Sequence, residues 1–293
     1  MVCPFVLAKE LFMKYYILYN PLAGHGLNQN TLEKIKEFIK GETVECDLTK
    51  GYDNLWDNLE PDDKIILAGG DGTLNRFVNE IDTDNLKNDV LYFASGSGND
   101  FLHDLGIEPG SAPFKINDYL KNLPTVTVKG QTYRFINGIG YGIDGYCCEE
   151  GDKLKAKSDK PVDYTAIAIK GLLFKFKPVK ATVTVDGKGY QFNKVWIAPT
   201  MNGRCYGGGM FPTPDQDRLG DGQVSFMALY GSGKLKTLMV FPSIFKGEHV
   251  KHTEMVTIIK GREVTVEFDR PCALQIDGET VLDVTSYTVK AGR

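Results

Sequence analysis

The chain has 293 residues, of which 42% are hydrophobic, and this is enough to fill one large core or two ordinary ones. Its formal net charge of −4 argues against a nucleic-acid partner. The six cysteines are scattered without a CxxC pair, which is typical of reduced thiols in a cytosolic protein. No apolar run approaches the roughly 20 residues of a membrane span. Residues 1–12 lack the pattern of a signal peptide and are predicted to be a dispensable extension.

Strands alternate with helices in the first part of the chain. Short apolar runs predict strands at 14–19, 43–49, 63–68 and 90–94. The intervening segments predict amphipathic helices at 32–39 and 74–81 and a polar helix at 52–59. This alternation predicts a parallel, doubly wound sheet, and such sheets bind ligands at the carboxyl ends of their strands.

Three glycine-containing turns each follow a predicted strand directly, at residues 20–26, 69–75 and 95–101. Because the carboxyl ends of parallel strands meet at one edge of a sheet, the three turns are expected to form one shared site. Glycines let a ligand approach the backbone, and the amides at a helix N-terminus attract an anion. The pattern therefore favours phosphate binding at this edge.

Asp71 lies in the middle of the second glycine turn, where its charge would repel a bare phosphate. The residue suits a phosphate site if a metal ion or an acceptor hydroxyl lies between the two. The alternative is an ordinary tight turn in which Asp71 caps a helix.

The pattern changes near Pro124 to short alternating strands separated by Gly and Asp turns, which predict an antiparallel β-sandwich. An apolar stretch at 164–176 is predicted to be a helix, although Gly171 weakens it. The predicted organisation is an α/β domain at 13–123 and a sandwich domain at 124–283. Residues 284–293 are considered as a return to the first domain.

Two other motifs of the second half are interpreted as structural. Gly140, Gly142 and Gly145 match GxGxxG, but the residues that follow make a poor helix for packing on a sheet, so a turn is favoured over dinucleotide binding. His249 and His252 have a spacing that zinc sites use, but a solvated segment is favoured because no third ligand is near. The absence of a GxxxxGK[ST] motif disfavours a P-loop kinase.

Two acidic turns in the second half leave alternatives open. Asp221, followed by Gly222, is either a turn residue or a ligand of a hard cation together with backbone carbonyls. Asp277 and Glu279 flank Gly278 at the end of an apolar segment. They either solvate a hairpin or place a general base at a strand end.

Taken together, these motifs resemble those of the diacylglycerol kinase catalytic-domain family, especially its soluble bacterial lipid kinases, from Tyr16 to the end of the chain. In sequence order the matching segments are Asn20-Pro21-Leu22-Ala23-Gly24, Gly69-Gly70-Asp71-Gly72-Thr73-Leu74-Asn75, Gly96-Ser97-Gly98-Asn99-Asp100-Phe101, Asn202-Gly203 with Tyr206-Gly207-Gly208-Gly209, Asp221-Gly222 and Asp277-Gly278-Glu279. A single GGDGT motif also occurs in NAD kinases and phosphofructokinases, whereas six motifs in this order are specific.

The resemblance implies an ATP-dependent kinase of a lipid hydroxyl. It places contacts to ATP at Asn20, Pro21, Leu22, Ala23, Gly24, Thr49, Gly70, Asp71, Gly72, Thr73, Leu74, Asn75, Arg76 and Ser97. It also implies a structural Mg²⁺ held by the Asp221 carboxylate and the carbonyls of Arg218 and Gln223. Glu279 would take the proton from the lipid hydroxyl, and Asp71 would act through water on the catalytic Mg²⁺.

The sequence departs from the family pattern at Ala23, His25 and Ser97, which leaves the nucleotide preference open. The expected partner is a lipid at a membrane surface, reached by a cytoplasmic protein that associates with membranes transiently. A homodimer is left open, and diacylglycerol, a sphingoid base and a polyprenol all remain candidate acceptors. The competing hypotheses are a soluble small-molecule kinase of the NAD-kinase type and a non-catalytic nucleotide-binding module.

Overall fold

The computed structural model describes residues 13–21, 29–96, 98–158 and 162–292. The chain forms two compact units, Met1–Lys121 and Asn122–Arg293, and the division lies close to the predicted boundary between 123 and 124. No helix within the described ranges is long and apolar enough to cross a membrane.

The first unit is built on a five-stranded sheet. Its strands are β1 (Lys14–Tyr19), β2 (Glu42–Asp47), β3 (Lys64–Gly69), β4 (Asp89–Ala94) and β5 (Phe114–Lys115). They lie in the order β2-β1-β3-β4-β5, with β1 to β4 parallel and β5 antiparallel to β4. The order reverses direction beside β1 and β3, which is where open α/β sheets bind their ligands.

Helices connect these strands. They are α1 (Gln29–Phe38), α2 (Asp53–Trp56), α3 (Asp71–Glu80), α4 (Asp100–Leu105) and α5 (Asn117–Leu120), with a 3₁₀ turn at Leu48–Lys50. The predicted polar helix at 52–59 is only the single turn of α2, because few of its residues are apolar enough to pack on the sheet.

Both faces of the first sheet are buried. Ile17, Ile66 and Phe93 pack with Ile35 of α1 in one cluster. On the opposite side of β4, the ring of Tyr92 packs edge-on against Phe101 of α4, with centroids 5.7 Å apart. Since successive residues of a strand point to opposite faces, helices cover the sheet on both sides, and the doubly wound α/β prediction is confirmed.

The second unit is an antiparallel sheet of ten strands. They are β6 (Thr125–Val128), β7 (Gln131–Arg134), β8 (Gly138–Tyr141), β9 (Val179–Val185), β10 (Lys188–Val195), β11 (Thr200–Met201), β12 (Val224–Leu229), β13 (Val256–Gly261), β14 (Glu263–Ile276) and β15 (Glu279–Lys290). The main path runs β13-β12-β11-β8-β14-β15-β6-β7, and β9 joins β14 to β10.

The long strand β14 connects two parts of this sheet. Its first half pairs with β9 and its last three residues pair with β8, with irregular register between Glu267 and Leu274. Residues from both parts, such as Val183 of β9 and Phe226 of β12, share one buried cluster, as expected for a sandwich. Residues Thr288 to Lys290, considered as part of a return to the first domain, instead pair with β6 inside the second unit.

The second unit also contains helices, which lie between strands in the order of the chain. They are α6 (Ile143–Lys155), α7 (Tyr164–Lys170) and α8 (Lys234–Val240), with a π-helical turn at Gly171–Lys175 and 3₁₀ turns at Phe241–Lys246 and Glu248–Lys251. The helix predicted at 164–176 is therefore present, and it widens into the π-helical turn at Gly171, the residue expected to weaken it.

Two structural interpretations of the second half are wrong. The GxGxxG segment does open a helix, because α6 begins directly after Gly142. It is still not a dinucleotide-binding fold, because that fold needs a parallel strand before the helix and β8 pairs antiparallel with both of its neighbours. The space beside Gly140 is filled by the Asp144 carboxylate, since a Cβ on Gly140 would lie 1.4 Å from it. His249 is fully buried rather than solvated, and its Nε2 lies 2.9 Å from the carbonyl oxygen of Pro212.

Candidate functional site

The second and third glycine turns touch each other. The amide of Ser95 donates to the carbonyl of Gly69 at 2.9 Å, and a Cβ on Gly96 would lie 2.5 Å from the Cα of Gly70. Only residues without side chains allow two backbones to come this close. The prediction that these two turns share one edge of the sheet is therefore confirmed.

The first glycine turn leaves the sheet at the same edge. Tyr19, the last residue of β1, is paired with Ala68 near the end of β3, so Asn20 and Pro21 follow at the carboxyl end. The remaining residues predicted to bind nucleotide in these turns lie outside the described residues: Leu22, Ala23, Gly24 and Ser97.

The carboxylate of Asp71 joins the two described turns. Its Oδ2 accepts a hydrogen bond from the amide of Asp100 at 2.9 Å, and its Oδ1 accepts one from the amide of Phe101 at 3.0 Å. Asp71 therefore caps α4, a helix 29 residues further along the chain, rather than its own.

The N-terminus of α3 faces the same edge. The helix begins at Asp71, and its first internal bond runs from the amide of Leu74 to the carbonyl of Gly70 at 3.2 Å. The amides that precede Leu74 have no partner within the helix, which is the arrangement that binds phosphates. Thr73 packs so tightly against Gly69 that a Cβ there would lie 2.3 Å from the Thr73 hydroxyl oxygen.

The other predicted nucleotide contacts differ in what they can offer. The Leu74 side chain lies in the core, and Asn75 is buried. The Arg76 guanidinium donates to Glu80 one turn along α3 at 2.8 Å, and this ion pair raises the pKa of Arg76. The hydroxyl and the amide of Thr49 both donate to Asp47, which holds the pKa of that carboxyl below its usual range.

In the second unit, Asp277 and Gly278 form a two-residue hairpin turn between β14 and β15. Both have positive φ, 46° and 96°, and the flanking Ile276 and Glu279 are paired with each other. The Asp277 carboxylate accepts the backbone amides of Ile136, Asn137 and Gly138 at 2.6, 2.8 and 2.9 Å. Asp277 therefore fixes the turn, whereas Glu279 is exposed at the start of β15.

Sequence reasoning missed a second support of this hairpin. The Oε1 of Gln275 accepts the amide of Gly278 at 2.6 Å, and its Nε2 donates to the buried carboxylate of Asp144 at 2.9 Å. Asp144 lies in the first turn of α6, where Gly140 leaves room for its carboxylate. The GxGxxG segment is the signal that marks this support, because its first glycine, Gly140, makes space for Asp144.

The Asp221 loop is anchored to the same short segment, 136–138. The guanidinium of Arg218 is buried and donates to the Ile136 carbonyl at 3.0 Å and to the Asn137 side-chain oxygen at 3.2 Å. Arg218 therefore holds the loop with its side chain, whereas the predicted cation ligand is its carbonyl. One segment thus connects the loop to the Asp277 turn.

The residues around Asp221 suit a hard cation in their chemistry. The Asp221 carboxylate is exposed, and it accepts only the amide of Gln223, at the long distance of 3.3 Å, among the contacts resolved for its oxygens. The Gln223 carbonyl accepts the Nε2 of Gln216 at 2.8 Å and keeps a second lone pair. Carboxylate and carbonyl oxygens are the ligands that Mg²⁺ prefers. Within the described ranges, the Asp221 loop included, no group of three or more His, Cys, Asp or Glu residues could hold a metal ion.

Two family models match the chain. The diacylglycerol kinase catalytic domain matches residues 14–128, and the YegS C-terminal NAD kinase beta sandwich-like domain matches residues 137–290. The second match alone spans more than half of the chain.

Similar proteins carry related names. A diacylglycerol kinase of Mycobacterium tuberculosis (strain CDC 1551 / Oshkosh) is 24% identical over 269 residues, which are 87% of this chain and 85% of that protein. A diacylglycerol kinase of Bacillus subtilis (strain 168) is 25% identical over 279 residues, with 90% and 88% covered.

Solved structures show the same fold. A crystal structure from Bacillus anthracis str. Sterne superposes with a TM-score of 0.67 at 18% identity, over 97% of this chain and 94% of that one. Another, described as a diacylglycerol kinase from the same organism, gives 0.59 at 19% identity, over 96% and 95%. With both family models matched in order along the two units, the chain belongs to the diacylglycerol kinase catalytic-domain family.

Proposed function

We propose that the protein is an ATP-dependent lipid kinase that transfers the γ-phosphate to a lipid hydroxyl, as a diacylglycerol kinase does. The observation that carries the proposal is the bridge from Asp71 to the amides of Asp100 and Phe101, which holds two glycine turns together at one sheet edge. Membership of a family whose similar proteins are named lipid kinases supports it.

Several features of the first unit support the proposal that it binds a triphosphate. Phosphoryl transfer depends mainly on positioning the phosphates and neutralising their charge. The backbone amides at the start of α3 lie at the edge where Asn20 and Pro21 also leave the sheet. Arg76, further along α3, carries a guanidinium whose charge Glu80 partly compensates. Asp71, which the α4 cap fixes at this edge, would act on Mg²⁺ through water.

Glu279 is the proposed general base. An alcohol attacks well only once its proton has been taken, and this requires a carboxylate with a free oxygen. Asp277 is unsuited to that role because its two oxygens already hold three backbone amides. Glu279 is exposed and starts a strand, so it is accessible to an acceptor and fixed at its backbone.

The Asp221 loop is the proposed site of a structural Mg²⁺, held by the Asp221 carboxylate and the carbonyls of Arg218 and Gln223. When bound there, the ion would supply a fixed positive charge to these oxygens and rigidify the loop. The buried Arg218 side chain and the Gln216 amide hold the loop in place without it.

The acceptor lipid would be met at a membrane surface by a cytoplasmic protein that associates with it transiently. The testing experiment incubates the protein with radiolabelled ATP, Mg²⁺ and extracted lipid classes in detergent micelles, and separates the products by thin-layer chromatography. Label should move to a lipid carrying a free hydroxyl, and Glu279→Gln should abolish the transfer.

Parallel incubations with NAD⁺ and with water-soluble alcohols test the competing functions. Transfer to NAD⁺ or to soluble alcohols with none to any lipid would replace the proposal by a soluble small-molecule kinase. ATP binding without transfer to any acceptor would make the protein a nucleotide-binding module.

A further inference from the structure

Four large apolar side chains are exposed on helical elements of the second unit. Phe174 of the π-helical turn is 75% exposed, and Leu235 and Met239 of α8 are 76% and 74% exposed. Ile169 of α7 is also exposed. We call these four residues the apolar ridge. Large side chains exposed together in this way mark interaction sites on soluble domains.

The elements that carry the ridge are packed together on their inner side. Ala168 and Leu172 share a buried cluster with Val240 and Ile244. The ammonium group of Lys234, at the start of α8, donates to the carbonyl of Leu173 in the π-helical turn at 2.9 Å. The ridge therefore rests on a fixed base, and its outward side chains are additional to what the core requires.

The ridge is rimmed by positive charge. Residues 164–177 and 232–247 contain six lysines and no carboxylate, although the whole chain has a net charge of −4. The six are Lys170, Lys175, Lys177, Lys234, Lys236 and Lys246. Lys236 pairs with Glu254 at 2.8 Å, and Asp163 and Glu248 lie directly beyond the ends of the two stretches, so part of the positive charge is compensated from outside them. The excess of cations around an apolar strip complements an anionic apolar interface.

We propose that the apolar ridge and its lysines dock the second unit onto a bilayer containing anionic phospholipids. The apolar side chains would enter the boundary between headgroups and acyl chains while the lysines contact lipid phosphates. Two contributions are needed, because neither a few apolar side chains nor a few lysines hold a protein on a membrane for long. The inference rests on the proposed function, since it supplies the surface on which that function meets its lipid.

The test is cosedimentation of the full chain with vesicles of phosphatidylcholine and phosphatidylglycerol, and with vesicles of phosphatidylcholine alone. The parent should bind the anionic vesicles and release them as salt is raised. The double variant Leu235→Glu with Met239→Glu should bind at least about tenfold more weakly than the parent, because it places charge in the apolar layer. Its control is Leu282→Glu, which alters a leucine that is 50% exposed elsewhere in this unit.

The lysine rim is tested separately. Lys175→Glu should weaken binding to anionic vesicles about fivefold or more and reduce its salt dependence. The control Lys180→Glu makes the same change of charge at an exposed lysine of β9 and should bind as the parent does.

A tryptophan variant reports entry into the bilayer directly, so its result cannot be explained by a binding loss that comes from misfolding. If the ridge enters the bilayer, brominated phosphatidylglycerol vesicles should quench the fluorescence of Phe174→Trp more than that of the parent, whose own indoles are Trp56 and Trp196. The proposal is overturned if the parent does not bind anionic vesicles, if the double variant binds as the parent does, or if Phe174→Trp is quenched no more than the parent. Self-association that the double variant abolishes, without vesicle binding, would assign the ridge to a second copy of the chain.

Catalysis is measured separately so that the two proposals can fail independently. Vesicle binding with the expected variant pattern but no transfer to any lipid would overturn only the proposed function. Lipid phosphorylation in vesicles at equal rates in the parent and the double variant would overturn only the docking surface.

Discussion

The glycine edge of the first unit and the hairpin of the second use the same device in different ways. In each, one aspartate carboxylate accepts backbone amides from a distant segment: Asp71 from a helix 29 and 30 residues away, and Asp277 from a segment 139 to 141 residues away. At the glycine edge the bridging carboxylate is also the candidate functional group. At the hairpin the bridge and the candidate base are separate residues, which leaves Glu279 free to react.

This difference makes the two aspartates separable by experiment. A change at Asp71 should affect both activity and folding, whereas a change at Asp277 should act first on folding. A change at Glu279 should act on activity alone.

The largest effect is expected at Asp71. Asp71→Asn keeps the size and one acceptor oxygen but removes the charge, so turnover should fall by about two orders of magnitude or more. Melting temperature should fall slightly, since one capped amide of α4 loses its acceptor. Asp118→Asn, in the first turn of α5, is the matched control and should keep parental turnover. Near-normal turnover in Asp71→Asn would reduce Asp71 to a helix cap.

Asp277→Asn should show the next largest effect, on stability. An asparagine offers one oxygen and turns an NH₂ group toward the amides of the 136–138 segment, so the free energy of unfolding should drop by about 2 to 3 kcal/mol. Chemical denaturation measures it, with Glu279→Gln as the control, which should stay within about 0.5 kcal/mol because Glu279 is exposed. Equal stability in the two variants would contradict the structural role of Asp277.

Much of the first unit could be predicted from the sequence because its signals are local. Apolar runs and helical spacing define β1, β3 and α3, and the rule that parallel strands end at one edge brings the glycine turns together. The length of α2 is the exception: the sequence predicts a helix over 52–59, but α2 spans only Asp53–Trp56, since polar residues alone do not determine where a helix ends.

The second unit was predicted only in outline because its decisive contacts are not local. Nothing in the sequence near Gln275 indicates that its amide joins Asp144 to the hairpin across 131 residues. The helix after Gly142 was missed for the same reason, since Asp144 and Gly145 pack against β14 rather than against their sequence neighbours. The burial of His249 depends on Pro212, which lies 37 residues before it.

A smaller effect is expected at the Asp221 loop. If Mg²⁺ binds there, adding it should raise the melting temperature of the parent through mass action, and Asp221→Ala should abolish that increase. Asp217→Ala changes an exposed neighbouring carboxylate and should keep the increase. The same Mg²⁺-dependent shift in Asp221→Ala and the parent would place the ion elsewhere.

The smallest effect is expected from pH. Burial lowers the pKa of His249 below the ordinary 6.5, so the unfolded chain binds a proton more readily than the folded one. The stability contributed by neutral His249 is therefore complete above pH 6.5 and is lost as pH falls through the lower folded pKa. His249→Gln keeps a donor toward Pro212 and should flatten this dependence, measured by denaturation at several pH values.

The most direct test of the account compares kcat in Glu279→Gln and Asp277→Asn at a temperature where both are folded. Glu279→Gln should lose most of its kcat while its melting temperature and its ATP affinity, measured by titration, match the parent. Asp277→Asn should keep substantial kcat despite its lower stability. If Glu279→Gln keeps its kcat and the folded Asp277→Asn loses it, the base is Asp277 and the account of the hairpin is wrong.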